Sequence, residues 1–398
     1  MSATTPIQPV DDAVMPRSRS RSLPVFDPLL ALAALGLSAC SYVTLNGLGG
    51  TGPALAQRQA LYDGGGLLLA LLISRFDYTR LREFKYGLFG MMVLLNLVVY
   101  AMPAVANAHR WIPLPLFSFQ SSEFGKILIV VALAAFAVDR SRRLHEWRTT
   151  ARIMLLAILP ALIVIPQPDL GTAMVYVAVG FSVLFFVGTP FKQIGAVIGI
   201  FAGAIVIVLV VAPAVGVHVL HGYQLDRLTA FLNPSSCSNL QPGAPNPCYQ
   251  VQQSVIAIGS GQKTGLGVHA YQTRLGFLPV DYTDFVFASI GETYGFVGAG
   301  VVLSLYALLI WRTLRIVAMS KNLFGTLIGA GVVAMLMFQI FVNVGVTIGI
   351  MPVTGVPLPL VSYGGSSVVV TFIAIGLLES IYIQARMAQA GKGRALIN

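Results

Sequence analysis

Asp284 stands where an acidic side chain is costly. In Leu278-Pro-Val-Asp281-Tyr-Thr-Asp284-Phe-Val-Phe-Ala-Ser-Ile-Gly-Glu292 it enters an apolar helical run, and a charge at that depth ordinarily faces a cavity or a partner. Two readings stay open. Either the carboxylate is reactive, or Thr283 or Asp284 caps the helix, accepting from its free amides while the dipole favours the negative charge. Glu123 and Lys126 lie i,i+3 on one helical face, either as an internal ion pair that neutralises two costly charges or as a pair lining a cavity. Asp169, in Gln167-Pro-Asp169-Leu-Gly-Thr172, begins a helix, where an aspartate is more often a cap than a catalyst. Arg227, in Tyr223-Gln-Leu-Asp226-Arg227-Leu-Thr-Ala-Phe231-Leu-Asn-Pro234, carries the planar fork that grips phosphate. Arg110, beside Trp111, and Arg274 are further cations outside the apolar runs. Trp111 by default anchors a membrane interface.

A second stretch points to a site through its backbone. Pro352-Val-Thr-Gly-Val-Pro-Leu-Pro-Leu-Val-Ser362-Tyr363-Gly364-Gly365-Ser366-Ser367 holds three prolines and three glycines between two long apolar runs. Regular helix is forbidden there, and irregular backbone at membrane depth is tolerated only when buried in protein or lining a wet cavity. Cys237 and Cys248 fall in a Pro/Asn/Ser-rich segment and are expected to form a disulfide if that segment faces an oxidising compartment. Cys40, inside the first apolar run, reads as helix packing. No CxxC spacing occurs and the five histidines are scattered, which argues against a structural metal site.

These residues need a membrane scaffold to hold them. The chain has 398 residues, 56% of them hydrophobic and 10% charged, with a mean hydropathy of +0.79. That composition excludes an ordinary soluble domain. The expected fold is an all-α polytopic membrane protein of about ten transmembrane helices. The spans are predicted near 24–45, 58–74, 86–104, 121–138, 153–166, 169–188, 193–215, 284–311, 323–350 and 366–385. The opening apolar run follows a basic N-terminus but is too long for a secretory signal and lacks a cleavage site. Lysine and arginine sort to one side when the N-terminus is cytoplasmic, leaving only Arg58, Arg110, Lys126, Arg227, Lys263 and Arg274 for the outer half. Both termini are therefore expected inside, with residues 1–22 a disordered tail, 23–386 the membrane domain and 387–398 a second tail. Residues 216–283 form one long extracytoplasmic loop, and Gln252–Gly261 reads as a helix along the interface that stops at glycines. The net charge of +10 reports contact with anionic membrane lipid on the cytoplasmic side. No motif supports nucleic-acid binding.

The segment Pro352–Ser367 resembles the signature of the shape, elongation, division and sporulation (SEDS) family, membrane enzymes that polymerise peptidoglycan glycan strands. With Thr347-Ile-Gly-Ile350 before it, it is nearer the family's elongation branch than its division branch. Asn107-Ala-His-Arg110-Trp111-Ile112, Phe119-Gln-Ser-Ser-Glu123-Phe-Gly-Lys126, Gln167–Thr172, Tyr223–Pro234 and Leu278–Glu292 resemble further family motifs, so the likeness runs from about Arg110 to Ser367. The chain departs at Ser121, where the family has Pro, and at Val280, where it has Glu; either Asp281 substitutes for that carboxylate or its role is dispensable.

The resemblance implies a glycosyltransferase for cell elongation and shape whose substrate is lipid II, a disaccharide-pentapeptide on undecaprenyl diphosphate. It implies catalysis by Asp284, as base or as ligand of a divalent Mg²⁺ or Mn²⁺ ion, with no organic cofactor. Substrate contacts are expected from Arg110, Trp111, Glu123, Lys126, Asp169, Arg227, Arg274, Thr283, Ser362, Tyr363, Gly364, Gly365 and Ser366, with Lys126 and Arg227 the first choices for the diphosphate. The implied partner is a class B penicillin-binding protein. A lipid II flippase, which would show broken helices and midplane charge in paired halves, and a transpeptidase scaffold are the competing readings.

Overall fold

The computed structural model describes residues 26–102, 110–113, 118–167, 169–211, 214, 227, 231 and 247–395. The expected tail 1–22, the last three residues of the expected tail 387–398, Asp226, Cys237 and most of the first half of the long connection lie outside these. All ten predicted spans are helices: α1 (Pro28–Gly47), α2 (Gly52–Ser74), α3 (Lys85–Val98), α4 (Ser121–Asp139), α5 (Trp147–Val164), α6 (Leu170–Val187), α7 (Phe191–Val206), α10 (Val286–Met319), α11 (Leu323–Thr347) and α12 (Gly365–Ala395). Between α7 and α10 lie α8 (Pro247–Ser260) and the one-turn α9 (Tyr271–Arg274). Eight of the ten are long and apolar enough to cross a membrane. Of the other two, α2 carries Arg58 and Asp63, and α3 is short. Helix α12 continues through Ala395, past the expected boundary at 386.

Burial separates the centre from the periphery. Helices α12 and α4 are 89% and 83% buried over their apolar windows, whereas α7 is 6% buried, so α4 and α12 are central and α7 turns nearly all its apolar surface outward. Helix α12 packs on α2, α6 on both α5 and α11, α3 on α4, and α10 on α1, α8 and α11. Fully buried Leu30, Leu133, Val179, Leu327, Leu336 and Leu378 tie these helices into one core. A smaller cluster beneath the site end joins Ala257 of α8, Phe285, Val342 and Val346 of α11, and Val353 and Val356.

Helix α10 is too long for one simple span. Its 34 residues are divided at Gly295, whose backbone leaves the helical region (φ 64°, ψ −159°). The amides of Phe296 and Val297 donate to the Gln262 and Lys263 carbonyls at 2.9 and 3.1 Å, and Leu266 donates to the Glu292 carbonyl at 2.8 Å. A Cβ on Gly261 would lie 1.8 Å from the Gly291 carbonyl oxygen, so glycine alone permits this approach. The break is thus closed by protein from the 261–266 turn, as membrane-depth backbone requires. It is a broken helix of the kind the flippase reading calls for, but its freed backbone groups are occupied from within the chain.

Candidate active site

The irregular segment after α11 and the turn before α10 meet above that small core. Asn343 of α11 clamps them: its amide donates to the Asp284 carbonyl at 2.9 Å and the Val356 carbonyl at 2.8 Å. Ser362 donates to the Thr283 carbonyl at 2.5 Å and accepts from the Leu358 amide. The Tyr363 amide donates to the Tyr282 carbonyl at 2.8 Å. Phe285, fully buried in the core below, anchors the next position. Asp284 is therefore held by its backbone, and its side chain is left for other work.

The capping reading of Thr283 and Asp284 is overturned. Phe285 is the N-cap of α10, with no side-chain cap bond, and the Thr283 hydroxyl donates to the Val280 carbonyl at 3.4 Å. Val280 has a positive φ of 57°, a strained conformation for a β-branched residue, and its carbonyl accepts from the Thr283 and Phe285 amides at 3.1 and 3.4 Å on either side of Asp284. The Asp284 carboxylate is half-buried. Burial raises its pKa above the ordinary value, Arg227 and then Arg110 pull it back, and Asp169 adds to the rise. At Gly355 (φ 75°), a Cβ would stand 3.8 Å from Asp284 Oδ2 and 4.0 Å from Arg227 Nη1. That glycine therefore borders both the carboxylate and its first cation.

A second layer positions the first. Trp111–Pro113 (β1) and Ser118–Gln120 (β2) form a small antiparallel pair with Trp111 opposite Gln120. Ser366 ties it to α12, accepting from the Gln120 amide at 2.9 Å and donating to the Ser118 carbonyl at 3.1 Å. Asp169 is the expected cap: it accepts from the Thr172 amide at 3.1 Å, and also from Ser122 at 2.7 Å and Gln120 at 3.3 Å. Gly364 donates to Gln59 at 3.4 Å, and a Cβ on Gly365 would meet the Tyr62 ring at 3.3 Å. These glycines bring the segment against α2. Tyr363 packs between Tyr62 and Tyr282, with ring centroids 6.2 and 5.9 Å away.

The four candidate cations part company. Arg110 and Arg227 act on Asp284. Lys126 is bound to Glu123 at 2.6 Å, the two side chains 1% and 3% exposed. Arg274 donates to the Gly47 carbonyl at 3.0 Å and is not among the cations acting on Asp284. Asp281 is also apart: it is not among the groups acting on Asp284, and burial pushes its pKa up to about 6. Glu292, fully buried, accepts from the Gln272 and Thr273 amides and the Thr273 hydroxyl, which gives this carboxylate the task of holding α9. Cys248 is disulfide-bonded, while Cys237 lies outside the described residues.

Sequence reasoning passed over Asn343 and Asn96. Asn96 accepts from Ser121, and its carbonyl accepts from Gln167. Both are amides inside apolar helices, which is a signal in itself because a buried polar group must be paired. Several partners at this end remain open: Arg110 Nε, Gln167 Oε1, Asn343 Oδ1 and Thr354 Oγ1 are buried without a hydrogen-bond partner among the described residues.

The sequence and the fold recur in known proteins. The model of the cell cycle protein family of FtsW, RodA and SpoVE matches residues 22–387. The chain is 34% identical over 363 residues to the peptidoglycan glycosyltransferase MrdB of Escherichia coli K12, covering 91% of this chain and 94% of that protein. A chain from a peptidoglycan synthase complex, described for its structural coordination of polymerization and crosslinking, superposes with a TM-score of 0.76 at 31% identity over 91% of this chain and 98% of its own. The crystal structure of the rod shape determining protein RodA of Thermus thermophilus superposes with a TM-score of 0.65 at 28% identity, covering 90% and 97%. With the motifs and the ten-helix bundle agreeing over most of its length, the chain belongs to the FtsW/RodA/SpoVE family.

Proposed function

We propose that the chain is a peptidoglycan glycosyltransferase that polymerises lipid II at the outer face of a bacterial cytoplasmic membrane, serving cell elongation. The observation that carries this is Asp284, half-buried and flanked by Arg227 and Arg110. The acceptor hydroxyl oxygen bonds to the anomeric carbon of the donor as the bond from that carbon to the diphosphate oxygen breaks. Asp284 takes the hydroxyl proton, and its raised pKa brings it nearer the working pH of a general base. The departing diphosphate needs charge stabilisation more than a proton, and Arg227 and Arg110 are placed to give it.

Among the described residues no group of three or more His, Cys, Asp or Glu side chains could cage a metal. The single carboxylate fits only an ion shared with substrate, so Mg²⁺ or Mn²⁺ would be held by Asp284 and diphosphate oxygens, adding charge neutralisation. A class B penicillin-binding protein is the proposed partner, consistent with the complex whose polymerising chain this fold resembles.

Purified protein given labelled lipid II should make glycan chains in the presence of moenomycin. Transport of lipid II without chain growth would overturn the reading. Arg227→Ala should raise KM if it grips the diphosphate in ground and transition states alike, and lower kcat if it meets only the developing charge.

A further inference from the structure

Away from Asp284, α1 and the broken α10 leave an apolar groove of about 470 Å³. Val43 and Thr44 line it from α1, Tyr294, Val297 and Val301 from α10, and Thr264 from the turn that closes the break. The helices are bridged at its upper end, where the Tyr294 hydroxyl donates to the Val43 carbonyl at 3.1 Å. Arg274 sits at that end. Its guanidinium holds the Gly47 carbonyl and is close enough to act electrostatically on Tyr294.

Arg274 is exposed, as is Lys263, the neighbour of groove-lining Thr264. Neither forms an ion pair among the described residues. Around Arg274, Tyr271 and Leu275 expose 59% and 64% of their surface and Phe277 43%, the mixture of aromatic, aliphatic and cationic side chains that settles at a bilayer interface. Glu292 fixes α9 through three hydrogen bonds, so the position of Arg274 is built into the fold.

We infer that the α1/α10 groove binds one anionic glycerophospholipid, an acyl chain along Val43, Val297 and Val301 and the headgroup phosphate on Arg274 and Lys263. Charge complementarity selects this occupant: Arg274, beside the Tyr294–Val43 bridge, and Lys263, next to groove-lining Thr264, are exposed cations without an ion pair among the described residues, and they favour a headgroup of net negative charge over a zwitterionic one, whose own ammonium offsets its phosphate. The site is separate from the one that would polymerise lipid II, and its test does not depend on that activity.

Native mass spectrometry of the full chain in detergent, with phosphatidylglycerol or phosphatidylcholine added at equal concentration, reads the site directly. One phosphatidylglycerol should be retained at least about tenfold better than phosphatidylcholine, a preference equivalent to ~1.4 kcal/mol. Arg274→Ala/Lys263→Ala should abolish the preference, and Val301→Trp, which fills the groove and leaves both cations, should abolish retention. Equal retention of the two lipids, an unchanged preference in the double variant, unchanged retention in Val301→Trp, or stronger retention of undecaprenyl phosphate in competition would each overturn the proposal. Thermal melts identify any variant that fails to fold, and Arg274→Gln/Lys263→Gln, which keeps polar side chains while removing both charges, must then lose the preference.

Discussion

At the end of the bundle where α1 begins, Asp27 caps α1 by accepting from the Leu29 and Leu30 amides, pairs with Arg312 of α10, and donates its own amide to Glu379 of α12 at 3.0 Å. At the opposite end Asp284 caps nothing, stands between Arg227 and Arg110, and has unpartnered buried polar atoms around it. Both clusters join three or more elements through carboxylates and arginines. The first is closed on itself and fixes where three helices meet; the second is held by backbone bonds from Asn343 and Ser362, leaving its charge for a ligand. A buried charge network is therefore no sign of a site by itself. What distinguishes the site is that its carboxylate has been relieved of structural duty.

Asp284→Asn should break the comparison most sharply. Removing the base should cost lipid II polymerisation ~10²–10⁴-fold with little change in thermal stability; normal turnover by the variant would remove Asp284 from the mechanism. Arg312→Ala is its mirror image. It leaves Asp27 buried without its cation, a loss of about 3–5 kcal/mol for a broken buried pair, while polymerisation per folded molecule stays unchanged. Denaturation in detergent and activity normalised to folded protein separate the two outcomes.

Glu123 and Lys126 test where the boundary between these behaviours lies. Lys126→Ala strands a buried carboxylate and should destabilise by about 3–5 kcal/mol. The Glu123→Gln/Lys126→Met double change should recover the fold. If it also polymerises normally the pair is structural, like Asp27 and Arg312; a well-folded but inactive double variant puts the pair in the site.

The smallest effect is expected at Asp281. Its folded pKa is raised to about 6, so the fold prefers the protonated form, and that preference is fully present below the ordinary carboxylate value and lost as pH rises through about 6. Asp281→Asn should match the parent at low pH and melt at a higher temperature above pH 7, whereas a constant difference across this range would refute the assignment.

Much of the scaffold was legible in residue order because the bilayer is a simple solvent. Ten apolar runs had to become helices to satisfy their backbones, and the prolines and glycines of 352–367 had to interrupt them. The cap at Asp169 and the pairing of Glu123 with Lys126 were also readable, since both are local, within one turn of helix. What residue order could not settle was which distant groups meet. Lys126 and Arg227 stood first among four candidate cations; Lys126 is taken up by Glu123 on its own helix, but only tertiary packing put Arg274 on the Gly47 carbonyl and brought Arg227 and Arg110 to Asp284. The capping alternative at Asp284 fell for the same reason: the strained turn at Val280 and the clamp from Asn343, 59 residues away, hold the backbone on either side of the carboxylate. Electrostatics and hydrogen bonding act through space at a few ångströms, so the helices came from the sequence alone, whereas the membership of the site was decided by the tertiary structure.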